Sequence, residues 1–336
     1  MTKKRIAING FGRIGRAAFK IALEKEDLEV VAINDLTDAS ILAHLLRYDT
    51  AYGQYRKNIE VAEGKLIIDG KDYPVFAEPD PKKLPWGELA VDVVLECTGR
   101  FTNKDSASQH ITAGAKKVIL SAPAKGDDED MVPSFLMGSN EAEYTNETVI
   151  SNASCTTNSL ASIVKIMNDT FGIQKAMMTT IHSYTADQNL QDGPHKDLRR
   201  ARAAGQNIVP TTTGAAIAVA QVIPAIKGLF DGLSVRVPTL VVSLSDCTFL
   251  LKRPVSKEEV NQVIEDATKT DMYGSVLAVT REPLVSSDFI GNPYSGIVDL
   301  SLTKVVDGDL VKVIVWYDNE WGYSNRLVEL ADRIAS

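Results

Sequence analysis

Cysteine is scarce in this chain of 336 residues. Three thiols, an odd number, exclude a disulfide framework and suit a reducing compartment. Histidine is nearly as scarce, with only His44, His110, His182 and His195. No stretch approaches the roughly 20 apolar residues of a membrane span. The start, Met-Thr-Lys-Lys-Arg, is basic but passes straight into a strand pattern, without the apolar core or cleavage site of a signal peptide. A cytoplasmic protein without a membrane partner is expected. Positive charge is in deficit, 36 Lys and Arg against 44 Asp and Glu for a net charge of −8, which excludes a nucleic-acid footprint. The cluster Arg199, Arg200 and Arg202 is too short to reverse that. No repeat, low-complexity tract or flexible linker stands out, and no metal site is expected. What remains is ordinary: 44% hydrophobic and 24% charged residues, with length enough for two domains and a substantial core.

Against that background one cysteine is conspicuous. Ser154-Cys155-Thr156-Thr157-Asn158 opens a segment whose apolar residues Leu160, Ile163, Val164 and Met167 recur with helical period. Cys155 therefore stands at a helix N-terminus, where unpaired N–H groups and the macrodipole favour an anion. A thiol so placed is expected to ionise near neutral pH and to act as a nucleophile. Its Ser, Thr and Asn neighbours are cap-type residues that can also donate to an oxyanion.

The N-terminal run Ile6-Ala7-Ile8-Asn9-Gly10-Phe11-Gly12-Arg13-Ile14-Gly15 is an apolar strand followed by G-x-G-x-x-G and a helical pattern. The glycines let the backbone turn tightly and approach a pyrophosphate at the helix start. A second apolar strand, 29–33, ends in Asn34-Asp35, and Asp35 lies 20 residues past Gly15. A carboxylate there accepts from ribose hydroxyls, so NAD is the expected cofactor. A nicotinamide site and an activated cysteine in one chain point to aldehyde dehydrogenation through a thioester.

Residues 1–154 alternate strands and helices, with candidate strands 4–9, 29–33, 91–96, 117–121 and 148–152. That predicts a Rossmann-type α/β domain on a doubly wound parallel sheet. Ligands in such sheets bind beyond the carboxyl ends of the strands, which places Thr98, Gly99 and Ser121 at the cofactor cleft. Residues 54–76, with Gly64 and Gly70, read as a small antiparallel insertion. From 155 to 318 the pattern becomes α+β with a mostly antiparallel sheet: strands 176–182, 234–237, 240–251, 297–302 and 310–317, helices 213–224 and 256–267. Between them, 183–206 is long, polar and weakly periodic, as functional or interfacial loops are. Leu327, Leu330, Ala331 and Ile334 predict a C-terminal helix within 319–336 that returns to the first domain.

The motifs together resemble the phosphorylating glyceraldehyde-3-phosphate dehydrogenases. The stretches that carry the likeness run in order: 9–16, 34–36, Glu96-Cys-Thr-Gly-Arg-Phe101, 121–124, Ser151-Asn-Ala-Ser-Cys-Thr-Thr-Asn158, His182-Ser-Tyr-Thr185, 194–200, 211–216, Val235-Arg-Val-Pro-Thr239 and 316–324. The resemblance implies NAD-dependent oxidative phosphorylation of D-glyceraldehyde 3-phosphate to 1,3-bisphosphoglycerate, a glycolytic and gluconeogenic step, through a Cys155 thioester. A related phosphosugar aldehyde such as erythrose 4-phosphate would fit the same chemistry. The likeness further implies His182 as base, and its place at the end of an apolar strand agrees with that. It assigns the substrate phosphate to Thr185 and Arg236, with Arg202 close by in competition with Arg199 and Arg200. It assigns inorganic phosphate to Ser154, Thr156, Thr213 and Gly214, and the nicotinamide to Asn319 and Tyr323. A homotetramer, with the 183–206 loop at subunit contacts, is also implied; and an imidazolium beside Cys155 would lower the thiol pKa further and could hold a thiolate–imidazolium pair. His44, His110 and His195 are left as structural or surface residues. The sequence departs from the family pattern at Ile217 and at Gly193-Pro194.

Overall fold

The computed structural model describes residues 3–126 and 131–335, so 1, 2, 127–130 and 336 of the expected cofactor domain lie outside it. The chain forms two compact units, one of Met1–Phe135, Glu141–Ala153 and Ser324–Ser336, the other of Leu136–Asn140 and Ser154–Tyr323.

In the first unit, β1 (Lys4–Asn9) lies between β2 (Leu28–Asn34) and the strand Val93–Glu96, all parallel. Lys117–Leu120 and then Val149–Ser151 extend the parallel sheet on one side. On the other, Lys71–Phe76 joins β2 in parallel and carries Lys65–Ile68 and Ile59–Ala62 as an antiparallel edge. The expected insertion is therefore part of the main sheet. Strands buried on both faces read as continuous apolar runs, and Val93–Glu96 and Lys117–Leu120 are buried at every position. The α1 helix (Arg13–Ala22) follows β1 directly. The end of the chain is tied here too: Lys4 Nζ reaches Asp332 Oδ1 at 2.8 Å, and Lys117 Nζ reaches the Ile334 carbonyl at 2.6 Å.

In the second unit, Ile173–Ser183 is flanked by Phe230–Val237, parallel, and Ser243–Leu251, antiparallel. Leu310–Tyr317 continues the sheet beyond Ser243–Leu251. Strict alternation of buried and half-exposed residues along Ser243–Leu251 gives the sheet one covered face. The helix Cys155–Phe171 packs there, burying Leu160, Ile163, Val164 and Met167 completely. The fold class is the one expected, a Rossmann-type parallel sheet plus a mostly antiparallel one.

Several boundaries differ for local reasons. The strand expected over 240–251 begins only at Ser243, because Val242 sits at φ +73° and turns the chain. The helix expected over 213–224 spans Ala215–Val222, with Gly214 at its cap and Pro224 beyond its end. Val209–Thr211, Leu277–Thr280 and Lys304–Val306 are strands too short to carry a period.

The β1–α1 turn is the tightest joint in the first unit. A Cβ on Gly15 would stand 2.0 Å from the Gly10 carbonyl oxygen. Gly15→Ala is expected to cost about 1–3 kcal/mol through overpacking. Equal urea midpoints for variant and wild type would contradict that close approach.

Candidate active site

The first unit's cavity, about 280 Å³, opens where β1 and β2 end. Gly10, Gly12, Asn34, Asp35, Cys97 and Thr98 are among its walls. Gly10 has φ +94°, and a Cβ on it would meet the Thr98 nitrogen at 2.7 Å. Beside Gly12 there is open space. The first turn of α1 carries no side-chain cap and no acidic residue. These are the features a pyrophosphate needs, so the residues present fit a dinucleotide. Asp35 Oδ2 accepts from the Phe11 N–H at 2.7 Å and Oδ1 from the Thr37 N–H at 2.9 Å. Each oxygen keeps a lone pair for a ribose hydroxyl.

The other expected cofactor residues differ in what they offer. The Phe11 ring is buried against Phe19, which leaves its backbone as the contact. Arg13 Nη1 is paired with Asp49 Oδ2 at 2.6 Å. Ile14, Gly99 and Ser121 lie outside the walls of this cavity, although Gly99, at φ +68°, turns the chain just after Thr98. Glu78 and Pro79 line it as well, and no sequence signal pointed to them.

The second unit holds the thiol. Ser154 caps the helix Cys155–Phe171 by accepting from the Thr157 N–H at 3.1 Å, so Cys155 is the first helical residue. Period-two alternation along Ile173–Ser183 puts Met178, Thr180 and His182 on the face that the helix covers. Tyr317 locks the two elements together, its hydroxyl 2.9 Å from Thr156 Oγ1 and 2.8 Å from Thr180 Oγ1. The outcome is a Cys155 Sγ to His182 Nε2 separation of 3.5 Å.

The tautomer of His182 follows from its partners. Nδ1 lies 2.6 Å from the Ser183 carbonyl oxygen, which can only accept. The ring proton is therefore on Nδ1, and the Nε2 lone pair faces the thiol. Arg236 Nη1 donates to the same carbonyl at 3.1 Å and to Thr185 Oγ1 at 3.1 Å, and stands 3.1 Å from Nδ1. Burial first, and then this guanidinium, push the His182 pKa down to about 3. Burial pushes the Cys155 thiol up, against the pull of Arg236, the Thr156 hydroxyl and first-turn amides. In this unliganded geometry burial opposes charge on both groups, and Arg236 beside Nδ1 opposes an imidazolium while favouring a thiolate.

The anion-binding residues separate into groups. Thr185 and Arg236 are together, and Thr185 also donates to Asp187. Arg200 joins them: its Nη1 pairs with Asp187 Oδ2 at 2.6 Å and its Nε donates to Thr211 Oγ1 at 2.9 Å. Arg202 does not; exposed, it pairs with Asp192 at 2.7 Å. Of the three arginines weighed for this place, Arg200 thus reaches Asp187, the partner of Thr185, while Arg202 is held by Asp192. Ser154 and Thr156 spend their hydroxyls on the cap and on Tyr317. Thr213 Oγ1 accepts from the Ala215 N–H at 3.2 Å, and Gly214 is exposed at the start of that helix. Asn319, buried, accepts at Oδ1 from Ser243 Oγ at 3.1 Å, which presents its amide hydrogens elsewhere. Tyr323 is also buried. Among the described residues no cluster of three or more His, Cys, Asp or Glu could hold a metal ion.

A dinucleotide cradle in one unit and a thiol–imidazole pair flanked by arginine in the other define a class, the nicotinamide-dependent oxidoreductases with a cysteine nucleophile. Residues 4–104 match the NAD binding domain of glyceraldehyde 3-phosphate dehydrogenase, and residues 154–319 match its C-terminal domain. The chain is 52% identical over 334 residues to glyceraldehyde-3-phosphate dehydrogenase of Geobacillus stearothermophilus, covering 99% of this chain and 98% of that one. It is 53% identical over 333 residues to glyceraldehyde-3-phosphate dehydrogenase 1 of Bacillus subtilis, covering 98% of each. It is 52% identical over 340 residues to the Clostridium pasteurianum enzyme, covering 100% of this chain and 99% of that one. The chain belongs to the glyceraldehyde-3-phosphate dehydrogenase family, and its function is that of an NAD-binding oxidoreductase of glycolysis.

The state of His182 has a thermodynamic consequence. Its ordinary value is 6.5 and its folded value about 3. Between those limits the unfolded chain binds more protons, so stability rises with pH and is lost as pH falls through the window. The slope from this one group is at most about 1.4 kcal/mol per pH unit. His182→Asn is expected to flatten the fall in stability between pH 6 and pH 4, read from urea midpoints. Identical pH slopes in the two proteins would show that His182 is not held neutral.

Proposed function

We propose that Cys155 is the nucleophile and His182 the base of a phosphorylating oxidation of D-glyceraldehyde 3-phosphate to 1,3-bisphosphoglycerate. The observation that carries this reading is the 3.5 Å approach of Sγ to an Nε2 whose proton is pinned on the far side of the ring. Cys155 Sγ adds to the aldehyde carbon, and its proton passes through His182 Nε2 to the carbonyl oxygen. Nε2 then removes that hydroxyl proton as hydride leaves the carbon, and a thioester remains. A bound NAD supplies the hydride acceptor. Inorganic phosphate attacks the thioester carbon, the C–S bond breaks, the phosphate proton ends on sulfur, and the proton on His182 goes to water.

Arg236 and Thr185 bind the substrate phosphate in this reading, with Arg202 close by and Arg200 in competition for that place through its pairing with Asp187. Arg236 then has two effects. Unpaired, its charge keeps the imidazole a weak base. A bound phosphate offsets that charge, and His182 becomes more basic when substrate arrives. Ser154, Thr156, Thr213 and Gly214 are assigned to the attacking phosphate, the last two through amides at the start of Ala215–Val222. Asn319 holds the nicotinamide amide and Tyr323 packs near it. Gly10, Phe11, Gly12, Arg13, Ile14, Asp35, Thr98, Gly99 and Ser121 belong to the rest of the dinucleotide. Residues 1–154 with the helix in 319–336 serve as the cofactor domain, and 155–318 as the catalytic domain.

A cytoplasmic homotetramer is part of the same proposal. Supporting it are three free cysteines and, among the described residues, no helix long and apolar enough to cross a membrane. Met177, Leu190, Leu198 and Ile208 are well-exposed apolar side chains of the second unit, and such surface favours association.

The deciding experiment follows NADH formation from glyceraldehyde 3-phosphate with and without inorganic phosphate. Cys155→Ser should retain NAD binding and lose activity by orders of magnitude, since an alcohol is a poor nucleophile here. More than a tenth of wild-type turnover in that variant would remove Cys155 from the role. With NADP as cofactor, kcat/KM should be at least about tenfold lower, roughly 1.4 kcal/mol, because Asp35 repels a 2′-phosphate. Equal kcat/KM for the two cofactors would free Asp35 of that role.

A further inference from the structure

We propose that Glu96 is the positioning residue of the dinucleotide cavity, an all-acceptor hub that sets the walls the cofactor meets without touching it. The proposal rests on reading that cavity as the NAD site. Glu96 ends the strand Val93–Glu96, is 2% exposed and is not among the cavity's walls. Four donors converge on its side chain. Oε1 takes the Thr98 N–H at 2.8 Å and the Thr98 hydroxyl. Oε2 takes Asn9 Nδ2 at 2.5 Å and faces His110 Nε2 at 3.1 Å.

The direction of every one of these bonds is fixed from the ends of the network. At one end, Trp86 Nε1 lies 2.9 Å from His110 Nδ1, and an indole nitrogen can only donate. His110 Nδ1 therefore accepts, and the ring proton is on Nε2, aimed at Glu96. At the other end, the backbone of Glu78 holds both atoms of the Asn34 amide. Its N–H donates to Asn34 Oδ1 at 2.9 Å, and its carbonyl accepts from Asn34 Nδ2 at 3.0 Å. Asn34 Nδ2 then donates to Asn9 Oδ1 at 2.7 Å, which leaves Asn9 Nδ2 to donate to Glu96 beside His110 Nε2, 3.4 Å away, both aimed at the same carboxylate oxygen. Neither amide nor the His110 ring can flip without setting two donors or two acceptors against each other. Only a group with no hydrogen of its own satisfies the centre, and a buried, half-satisfied network is costly.

The members of this network are what the cavity is made of. Asn9, Asn34, Glu78 and Thr98 all line it, and Thr98 Oγ1 accepts from the N–H of Arg100, another wall residue. The Thr98 peptide also backs the phosphate-loop glycine, the close contact that forbids a Cβ on Gly10. Glu96 thus couples the ends of β1, β2 and its own strand at the point where a pyrophosphate and a ribose would sit.

Glu96→Gln is the diagnostic change, because it keeps the shape. In either orientation its NH₂ faces two donors. NAD affinity, measured by calorimetry, is expected to fall at least tenfold, while kcat at saturating NAD stays within twofold of wild type. An NAD Kd within twofold of wild type, or a lower kcat at unchanged Kd, would overturn the proposal. Should Glu96→Gln fail to fold, His110→Phe decides, since it removes one donor from the hub at a residue outside the cavity's walls. A severalfold weaker Kd supports the hub and an unchanged one refutes it. Asp35→Ala separates the two layers of inference. If that variant binds NAD as wild type does, the cavity reading fails and the proposal with it; if it binds weakly while Glu96→Gln binds normally, only the hub is wrong.

Discussion

The catalytic half of the molecule depends on one backbone carbonyl, that of Ser183. It accepts from His182 Nδ1 and from Arg236 Nη1 at once, and so fixes which imidazole nitrogen is free and where the cation stands. Much around Ser183 holds that carbonyl still. Its N–H donates to Ser243 Oγ at 3.2 Å, and its hydroxyl donates to the Val242 carbonyl at 2.7 Å and meets Thr239 Oγ1 at 2.8 Å. Val242 reaches that position at φ +73°, a region where a β-branched residue is strained by about 1–3 kcal/mol. The strain is localised at the turn that presents both Val242 O and Ser243 Oγ to the strand end bearing His182.

Much of this was legible in the chain, and for definite reasons. Gly10 announces a left-handed backbone, and Gly15 a close approach that a Cβ would block. Asp35 is legible because the length of one strand–helix–strand unit is nearly constant. Cys155 is legible because four apolar residues with period 3.6 mark where its helix starts. His182 sits at the end of an alternating strand, and alternation also tells which face it takes.

The parts that escaped are those set by long-range proximity. Arg199, Arg200 and Arg202 occupy a segment without period, so nothing local says which one turns inward. The pairing of Val209–Thr211 with Phe230–Val237 brings Thr211 under the Arg200 guanidinium, a contact no local pattern announces. The ionisation state of the thiol escaped for the same reason. A helix N-terminus is a local feature and suggests a thiolate. Burial and the strand carrying Arg236 are tertiary features: burial pushes the thiol up and the imidazole down, and Arg236 pulls both down. Glu78 and Pro79 reach the cofactor cavity only because Lys71–Phe76 joins β2 in parallel.

The two units meet the same physical problem with opposite solutions. Each must hold polar groups rigid in a place that water cannot reach, where an unsatisfied donor costs about 1–3 kcal/mol. In the second unit the fixed point is an acceptor that no mutation of a side chain can remove, a main-chain carbonyl, and the groups it orders are the reactive ones. In the first unit the fixed point is a side-chain carboxylate, and the groups it orders are the passive walls of a binding cavity. In the proposed reaction one nitrogen of His182 changes its proton during turnover, so the anchor must not itself exchange a proton. A carbonyl meets that requirement. The cofactor cavity has no proton to move, so a carboxylate can serve there, and it satisfies four donors where a single carbonyl oxygen, with two lone pairs, would satisfy two.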